Sequence, residues 1–99
     1  MEMAIMGLIT NAGDARSLAI QAVRLARKGE FDEADKCMKQ CTEAMENAHK
    51  YQTDLIWAET SGNPVPLSLL MVHAQDHVMN AMTVKDMAFE MIEILRESR

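Results

Sequence analysis

Aromatic residues are scarce in this 99-residue sequence, which contains one Trp, one Tyr and two Phe. Methionine occurs ten times, and hydrophobic residues make up 48% of the chain. β-Sheets favour aromatic and β-branched side chains, whereas the flexible Met side chain suits irregular helix packing. A chain of this length also has room for only one modest core. The composition therefore predicts a single all-α domain over residues 1–99.

Basic clusters and long apolar runs are also missing. Ten Lys and Arg residues against fifteen Asp and Glu residues give a net charge of −5, with no Lys/Arg cluster. Proteins that bind nucleic-acid phosphates need such a cluster, so nucleic acid is not an expected partner. No apolar run approaches the ~20 residues of a membrane-spanning helix, and the first residues lack the positive flank of a signal peptide. We expect no membrane insertion and a cytoplasmic location.

The only cysteines are Cys37 and Cys41, one helical turn apart. Structural disulfides are rare in the cytosol, so we expect both to be free thiols. His49 could complete a set of three metal ligands with them. The three side chains spread over roughly 120° of the helix surface, however, which disfavours a shared ion.

Apolar residues at intervals of three and four predict three helices, at about residues 3–28, 32–58 and 66–97. Gly29 follows two cationic residues, which predicts a helix end and a short turn. Residues 59–66 form the main predicted loop, and Pro66 suits an early position of the third helix. Gly7 and Gly13 weaken the first helix and indicate close approach of a neighbouring helix. The result is an antiparallel three-helix bundle.

The third predicted helix has apolar residues on two sides. One side groups Val72, Met79 and Met82 with Met71, Val78 and Phe89, and the other carries Leu69, Met87, Met91 and Ile94. A helix in a monomeric three-helix bundle needs only one apolar stripe, so the second side predicts self-association. His73, Asp76 and Asn80 fall on the side of Leu69, Met87 and Ile94, which places this polar cluster at or beside the subunit contact.

Three chemical interpretations of His73 and His77 are open. They could be structural histidines whose hydrogen bonds are satisfied by Asp76, Asn80 or Gln75. They could be half of a metal site, although the HEXXH pattern of zinc peptidases is absent. A neutral imidazole oriented by a hydrogen-bond partner could also take up a phosphoryl group.

No GxxxxGK[ST] nucleotide-binding loop occurs in the sequence. A histidine that carries phosphate would therefore receive it from another protein, as the component of a relay. A metal-binding helical bundle and a purely structural helical trimer are the alternative functions.

The sequence His73-Ala74-Gln75-Asp76-His77, followed by Met79, resembles the active-site motif of the lactose/cellobiose-type enzyme IIA of the bacterial phosphoenolpyruvate-dependent sugar phosphotransferase system. Residues 6–9, 13–17, 29–31 and 48–53 match the same family's pattern in the same order. The resemblance therefore covers almost the whole chain, and it is closer to the cellobiose/chitobiose branch than to the lactose branch. Residues 61–66 belong to a variable region and carry no assignment.

This resemblance implies a three-helix subunit that assembles as a homotrimer. It also implies that His73 accepts a phosphoryl group from the phosphocarrier protein HPr and passes it to a cysteine of a cognate enzyme IIB. Asp76 would lie near the trimer axis, where three copies could gather around a divalent metal ion such as Mg²⁺. Gln75 and His77 match motif positions and would support the site by hydrogen bonding. Three close carboxylates need a cation or bound protons to offset their repulsion.

Overall fold

Three α-helices account for most of the chain: α1 (Glu2–Arg27), α2 (Phe31–Thr60) and α3 (Leu69–Glu97). The computed structural model describes residues 2–99, and Met1 lies outside the described residues. Gln52 pairs with Gln75 near one end of the molecule and Asp35 pairs with Arg96 near the other, so α2 and α3 are antiparallel. No strand occurs within residues 2–99, which confirms the all-α prediction.

Two glycines end the first two helices in the same way. Gly29 and Gly62 have φ values of 82° and 86°, a left-handed backbone conformation that glycine adopts without steric cost. At the end of α1, Glu30 N donates to Leu25 O (3.0 Å) and Gly29 N donates to Ala26 O (2.9 Å). These bonds satisfy carbonyls that the helix end would otherwise leave unpaired. The predicted turn at Gly29 is confirmed.

The third helix begins at Leu69 and not at Pro66, where the sequence analysis placed it. Ser68 has an extended backbone conformation, and its side-chain oxygen accepts a hydrogen bond from Met71 N at 3.1 Å. This is the geometry of an N-cap, which stabilises a helix start more directly than a proline does. The connection between α2 and α3 therefore runs on through both prolines, and His73 lies just beyond the first turn of α3.

The core is built around a row of alanines on α1. Ala12, Ala15, Ala19, Ala22 and Ala26 are completely buried. Their small side chains let α1 pack closely along both α2 and α3, which contact each other much less. The side of α2 that faces the core carries Ala34, Cys41, Met45, Ala48 and Leu55, which are buried, and Met38, which is half-buried.

One part of the predicted phase of α3 is wrong. Val72, Met79 and Phe89 were grouped with the core residue Val78, but each is more than half exposed. The side that packs on the bundle consists of Ala74, Val78, Ala81, Ala88 and Ile92. A pattern of hydrophobic residues gives most weight to large side chains. Here the helices approach most closely at alanines, so the alanines mark the side of α3 that faces the core. The second apolar side is present: Leu69, Met87, Met91 and Ile94 are all exposed.

Within residues 2–99, none of the helices combines the length and the apolar character that crossing a membrane requires. Cys37 and Cys41 are free thiols, as the sequence analysis predicted, and both are buried. Burial raises the pKa of the Cys41 thiol above its ordinary value, and the nearby Lys85 cation partly opposes this effect.

Substitution of the two glycines in α1 should give opposite results. A Cβ atom at Gly7 would lie 2.6 Å from ring atoms of Tyr51, whereas a Cβ at Gly13 would meet nothing within 4 Å. Gly13→Ala should raise the free energy of unfolding by about 1 kcal/mol through helix propensity. Gly7→Ala should not raise the free energy of unfolding in this way, because the Tyr51 ring must move to make room for the added methyl group. Urea denaturation of each variant, with and without the additional substitution Tyr51→Ala, measures the free energy of unfolding. Equal changes for Gly7→Ala and Gly13→Ala would contradict this prediction.

Alkaline conditions should weaken the fold partly through Cys41. The pKa of this thiol is raised from 9.0 by burial in the folded chain, so the unfolded chain ionises first as the pH rises. The contribution of the neutral Cys41 thiol to the free energy of unfolding is fully present at pH values below its ordinary pKa. This contribution is lost as the pH rises through the raised pKa of the thiol in the folded chain. Urea denaturation at a series of alkaline pH values should show that the free energy of unfolding falls more steeply with pH for the wild type than for Cys41→Ala. Parallel pH profiles for the two proteins would contradict the assignment.

Candidate functional site

His73 and His77 form a direct pair on the surface of α3. Their Nε2 atoms are 3.1 Å apart, and the rings meet edge to face at 85° with centroids 4.5 Å apart. His73 is exposed and His77 is half-buried. The spacing of four residues on one helix produces this contact, and the Ser68 cap sets where that helix begins.

The hydrogen bond between the two Nε2 atoms constrains the protons of the pair. One ring must donate and the other must accept, so the bond requires at least one neutral imidazole. A neutral imidazole keeps a lone pair on one nitrogen while the other carries a proton. When His73 Nε2 donates to His77 Nε2, Nδ1 of a neutral His73 keeps a lone pair that this bond does not occupy, and His77 restrains the ring orientation of His73. This arrangement suits uptake of a phosphoryl group by His73.

Within one chain, the Gln75 side chain lies on a different side of α3 from the His73–His77 pair. Its side-chain oxygen accepts a hydrogen bond from Gln52 Nε2 at 2.9 Å, which links α3 to α2. Residues two positions apart on a helix are separated by roughly 200°, so Gln75 and His73 point to opposite sides. Gln52 received no role in the sequence analysis, although residues 48–53 carried part of the family resemblance. Its pairing depends on the contact of two helices, which a local pattern does not reveal.

Asp76 lies on the outer side of α3 and is exposed. Within residues 2–99 it makes no side-chain hydrogen bond or ion pair. The exposed residues Leu69, Met87 and Ile94 share this side of the helix, as predicted. A carboxylate is thus placed beside exposed apolar side chains on a side of α3 that neither of the other described helices covers.

The structure offers no complete metal site within the described part of one chain. No three His, Cys, Asp or Glu side chains in residues 2–99 are placed to hold one ion. Cys37 and Cys41 are buried, whereas His49 is exposed, so the ligand set that the sequence analysis disfavoured is not assembled.

Exposed apolar side chains surround the end of the bundle that carries the histidines. Trp57 is 72% exposed, and Ile56, Leu67, Leu69 and Leu70 are exposed as well. Beside them, a cleft of about 310 Å³ lies between the end of α2, the connecting loop and α3, with Gln75 in its wall. A surface of this kind is typical of contact with other proteins.

Comparison with known proteins agrees with these features. The sequence model of the lactose/cellobiose-specific IIA subunit of the PTS system matches residues 3–96. The lichenan-specific phosphotransferase enzyme IIA component of Bacillus subtilis (strain 168) is 49% identical over 94 residues, which are 95% of this chain and 86% of that protein. The N,N'-diacetylchitobiose-specific EIIA component of Escherichia coli (strain K12) is 42% identical over 94 residues, with 95% and 81% of the two chains covered.

Solved structures of similar proteins show the same fold. The cellobiose-specific enzyme IIA from Bacillus anthracis superposes with a TM-score of 0.94 at 44% identity, covering 97% of this chain and 88% of that chain. IIA(Chitobiose) of Escherichia coli, solved in complex with HPr, gives a TM-score of 0.83 at 40% identity, with 97% and 93% covered. With the family match over residues 3–96, these likenesses show that the chain belongs to the lactose/cellobiose-specific IIA subunits of the phosphotransferase system.

Proposed function

We propose that this IIA subunit accepts a phosphoryl group from HPr on His73 and passes it to a cysteine of a cognate enzyme IIB. The observation that carries the assignment to His73 is its exposed ring, whose Nε2 lies 3.1 Å from His77 Nε2. The relay would support uptake of a disaccharide of the cellobiose or chitobiose type, since similar IIA components are named for cellobiose and N,N'-diacetylchitobiose. The cytoplasm is the proposed location of this relay.

The chemistry consists of two substitutions at phosphorus. A ring nitrogen of His73 attacks the phosphorus of phospho-HPr, so a new N–P bond forms while the N–P bond to the HPr histidine breaks. The thiolate of enzyme IIB then attacks the same phosphorus, an S–P bond forms, and His73 leaves as imidazole. His77 orients the ring in the free protein through its hydrogen bond. No nucleotide is needed, which agrees with the lack of a phosphate-binding loop.

Both partners must reach the same histidine in turn. HPr as the donor is supported by the solved complex of IIA(Chitobiose) with HPr, and enzyme IIB as the acceptor is supported by the family. The exposed apolar side chains at the end of α2 and in the loop before α3, Trp57 and Leu67 among them, supply contact area for partner proteins. A relay component needs modest interfaces that separate quickly, because each partner must leave before the other binds.

We also propose that the chain assembles as a homotrimer through the outer side of α3. Exposed Leu69, Met87, Met91 and Ile94 on that side support burial against other copies. Asp76 lies among them with no hydrogen-bond or ion-pair partner in residues 2–99 of its own chain, so three copies around an axis would gather three carboxylates. Such an all-oxygen donor set suits Mg²⁺ chemically, and its charge would offset their mutual repulsion.

Phosphoryl labelling should require His73 but not His49. Incubation with phosphoenolpyruvate, enzyme I and HPr should place an acid-labile phosphoryl group on the wild type and on His49→Ala, whose altered residue is exposed on α2. His73→Ala should take up none, because the accepting nitrogen is gone. Intact-protein mass spectrometry measures the product. Labelling of His73→Ala to the wild-type level would show that another residue accepts the phosphoryl group, whereas no labelling of the wild type would favour the structural or metal-binding alternative.

Replacement of Asp76 should strengthen the trimer when metal is absent. Asp76→Leu removes three like charges from the proposed axis and adds apolar contact, a gain on the order of a few kcal/mol per trimer. Sedimentation equilibrium in EDTA should show tighter association than for the wild type, and added Mg²⁺ should tighten only the wild type. Asp14→Leu, at an exposed site on α1, controls for helix propensity. A monomeric wild type at micromolar concentration, or weaker association of Asp76→Leu, would contradict this geometry.

A further inference from the structure

The His73–His77 pair also has the dimensions of a metal chelate. Two imidazole nitrogens bound to one tetrahedral Zn²⁺ ion at the usual distance of about 2.0–2.1 Å lie roughly 3.3 Å apart. The Nε2 atoms of His73 and His77 are 3.1 Å apart, and the two rings meet edge to face at 85°. Two histidines four residues apart on one helical face are also the arrangement with which zinc peptidases hold their metal. The pair therefore has nearly the spacing that a shared ion requires.

We propose that His73 and His77 form a two-ligand clamp for Zn²⁺ and that the bound ion blocks uptake of a phosphoryl group. The blocking step rests on the proposed function, whereas binding of the ion does not. The clamp supplies two ligands, and water molecules complete the coordination. No group of three His, Cys, Asp or Glu side chains in residues 2–99 is placed to hold one ion. Because permanent structural zinc sites have four protein ligands, an ion held by two stays exchangeable.

The surroundings of the clamp favour a cation. Residues 66–84 contain no Lys or Arg, so no like charge from α3 lies within one turn of either histidine. The Asp76 carboxylate, next to His77 in the sequence, is the only charged side chain in this segment. His73 is exposed and His77 is half-buried, so an ion can reach the pair from solvent.

The ligand atoms determine which ion fits. Imidazole nitrogen suits Zn²⁺ and similar transition-metal ions, whereas Mg²⁺ prefers oxygen ligands. The clamp therefore differs in chemistry from the proposed gathering of three Asp76 carboxylates. Cys37 and Cys41, the thiols that could compete for Zn²⁺, are both buried. The third histidine, His49, is exposed on α2 and has no second histidine within four residues, so it serves as a matched control.

Chelation removes every lone pair that His73 could use as a nucleophile. In the hydrogen-bonded pair, one Nε2 carries a proton and donates it to the other Nε2. When both Nε2 atoms bind the ion, that proton moves through solvent to Nδ1 of the same ring, and the two nitrogens replace two water ligands of Zn²⁺. Both imidazoles stay neutral, so no net proton is released. His73 then has the ion on Nε2 and a proton on Nδ1, and neither nitrogen can attack phosphorus.

A zinc titration tests the clamp without any phosphoryl transfer. Isothermal titration with ZnCl₂ should give equal affinity for the wild type and His49→Ala, and excess MgCl₂ should not displace the ion. His73→Ala and His77→Ala each lose one ligand, so the affinity should fall at least about tenfold, because the second imidazole no longer binds intramolecularly. In the wild type, Zn²⁺ should shift the ring ¹⁵N resonances of both His73 and His77. Wild-type affinity in either His73→Ala or His77→Ala would overturn the clamp.

Transfer from purified phospho-HPr tests whether the ion blocks the histidine. Enzyme I is omitted so that Zn²⁺ cannot act on it, and rapid quench with mass spectrometry measures the labelling rate. With free Zn²⁺ at about ten times the wild-type Kd, the wild-type rate should fall about tenfold, and EDTA should restore it. His49→Ala should respond in the same way. The rate of His77→Ala should fall at most about twofold from its own value without Zn²⁺, because its weakened site is at most about half occupied.

Failure of the clamp and failure of the proposed function give different results. A wild type that binds Zn²⁺ at both histidines and keeps its full labelling rate would overturn the block. An equal effect of Zn²⁺ on the wild type and on His77→Ala would overturn it too, because the ion would then act elsewhere. If the wild type takes up no phosphoryl group even in EDTA, the proposed function fails, and the titration still decides whether the clamp exists. Circular dichroism verifies folding; should His77→Ala not fold, the exposed His73→Ala gives the binding result.

Discussion

Close packing of α1 against both other helices is the constraint on which the rest of the structure depends. The buried row from Ala12 to Ala26 leaves no space between α1 and its partners, so α2 and α3 both lie along α1 and only loosely along each other. Larger side chains in this row would overpack the core. Because α3 meets the bundle through a narrow side of mostly small residues, its outer side stays open. His73 and Asp76 both lie on surface that this packing leaves free.

The histidine site combines local and non-local structure. The pairing of His73 with His77 follows from helix geometry alone, since any helix brings residues four apart together. The Ser68 cap adds a second local effect by setting where that helix begins. The environment of Gln75 is different, because it depends on the position of α2 and on the hydrogen bond from Gln52. The five consecutive residues 73–77 therefore lie on different sides of the helix and have different neighbours.

Much of this arrangement could be predicted from the sequence, for physical reasons that differ among residues. The end of α1 was predictable because Gly29 favours the backbone conformation that the turn requires. The start of α3 was not, because the Ser68 side chain forms a cap that competes with the preference of Pro66 for a first turn. The sequence analysis placed Val72, Met79 and Phe89 on the core side of α3, but they are exposed. On a helix with two apolar sides, hydrophobicity alone does not distinguish exposed apolar residues from core residues. The pairing of Gln52 with Gln75 spans 23 residues and depends on tertiary contact, so no periodicity could show it.

The alanine row on α1 has a consequence for the order of folding during synthesis. A ribosome that has released only α1 and α2 leaves one side of the row exposed to water, because α3 has yet to cover it. Docking of α3 must wait until the connection after Gly62 and most of the third helix are available. The same docking event both closes the core and brings Gln75 to Gln52. Incomplete chains therefore lack the assembled surface around His73, and competence for phosphoryl transfer coincides with completion of the fold.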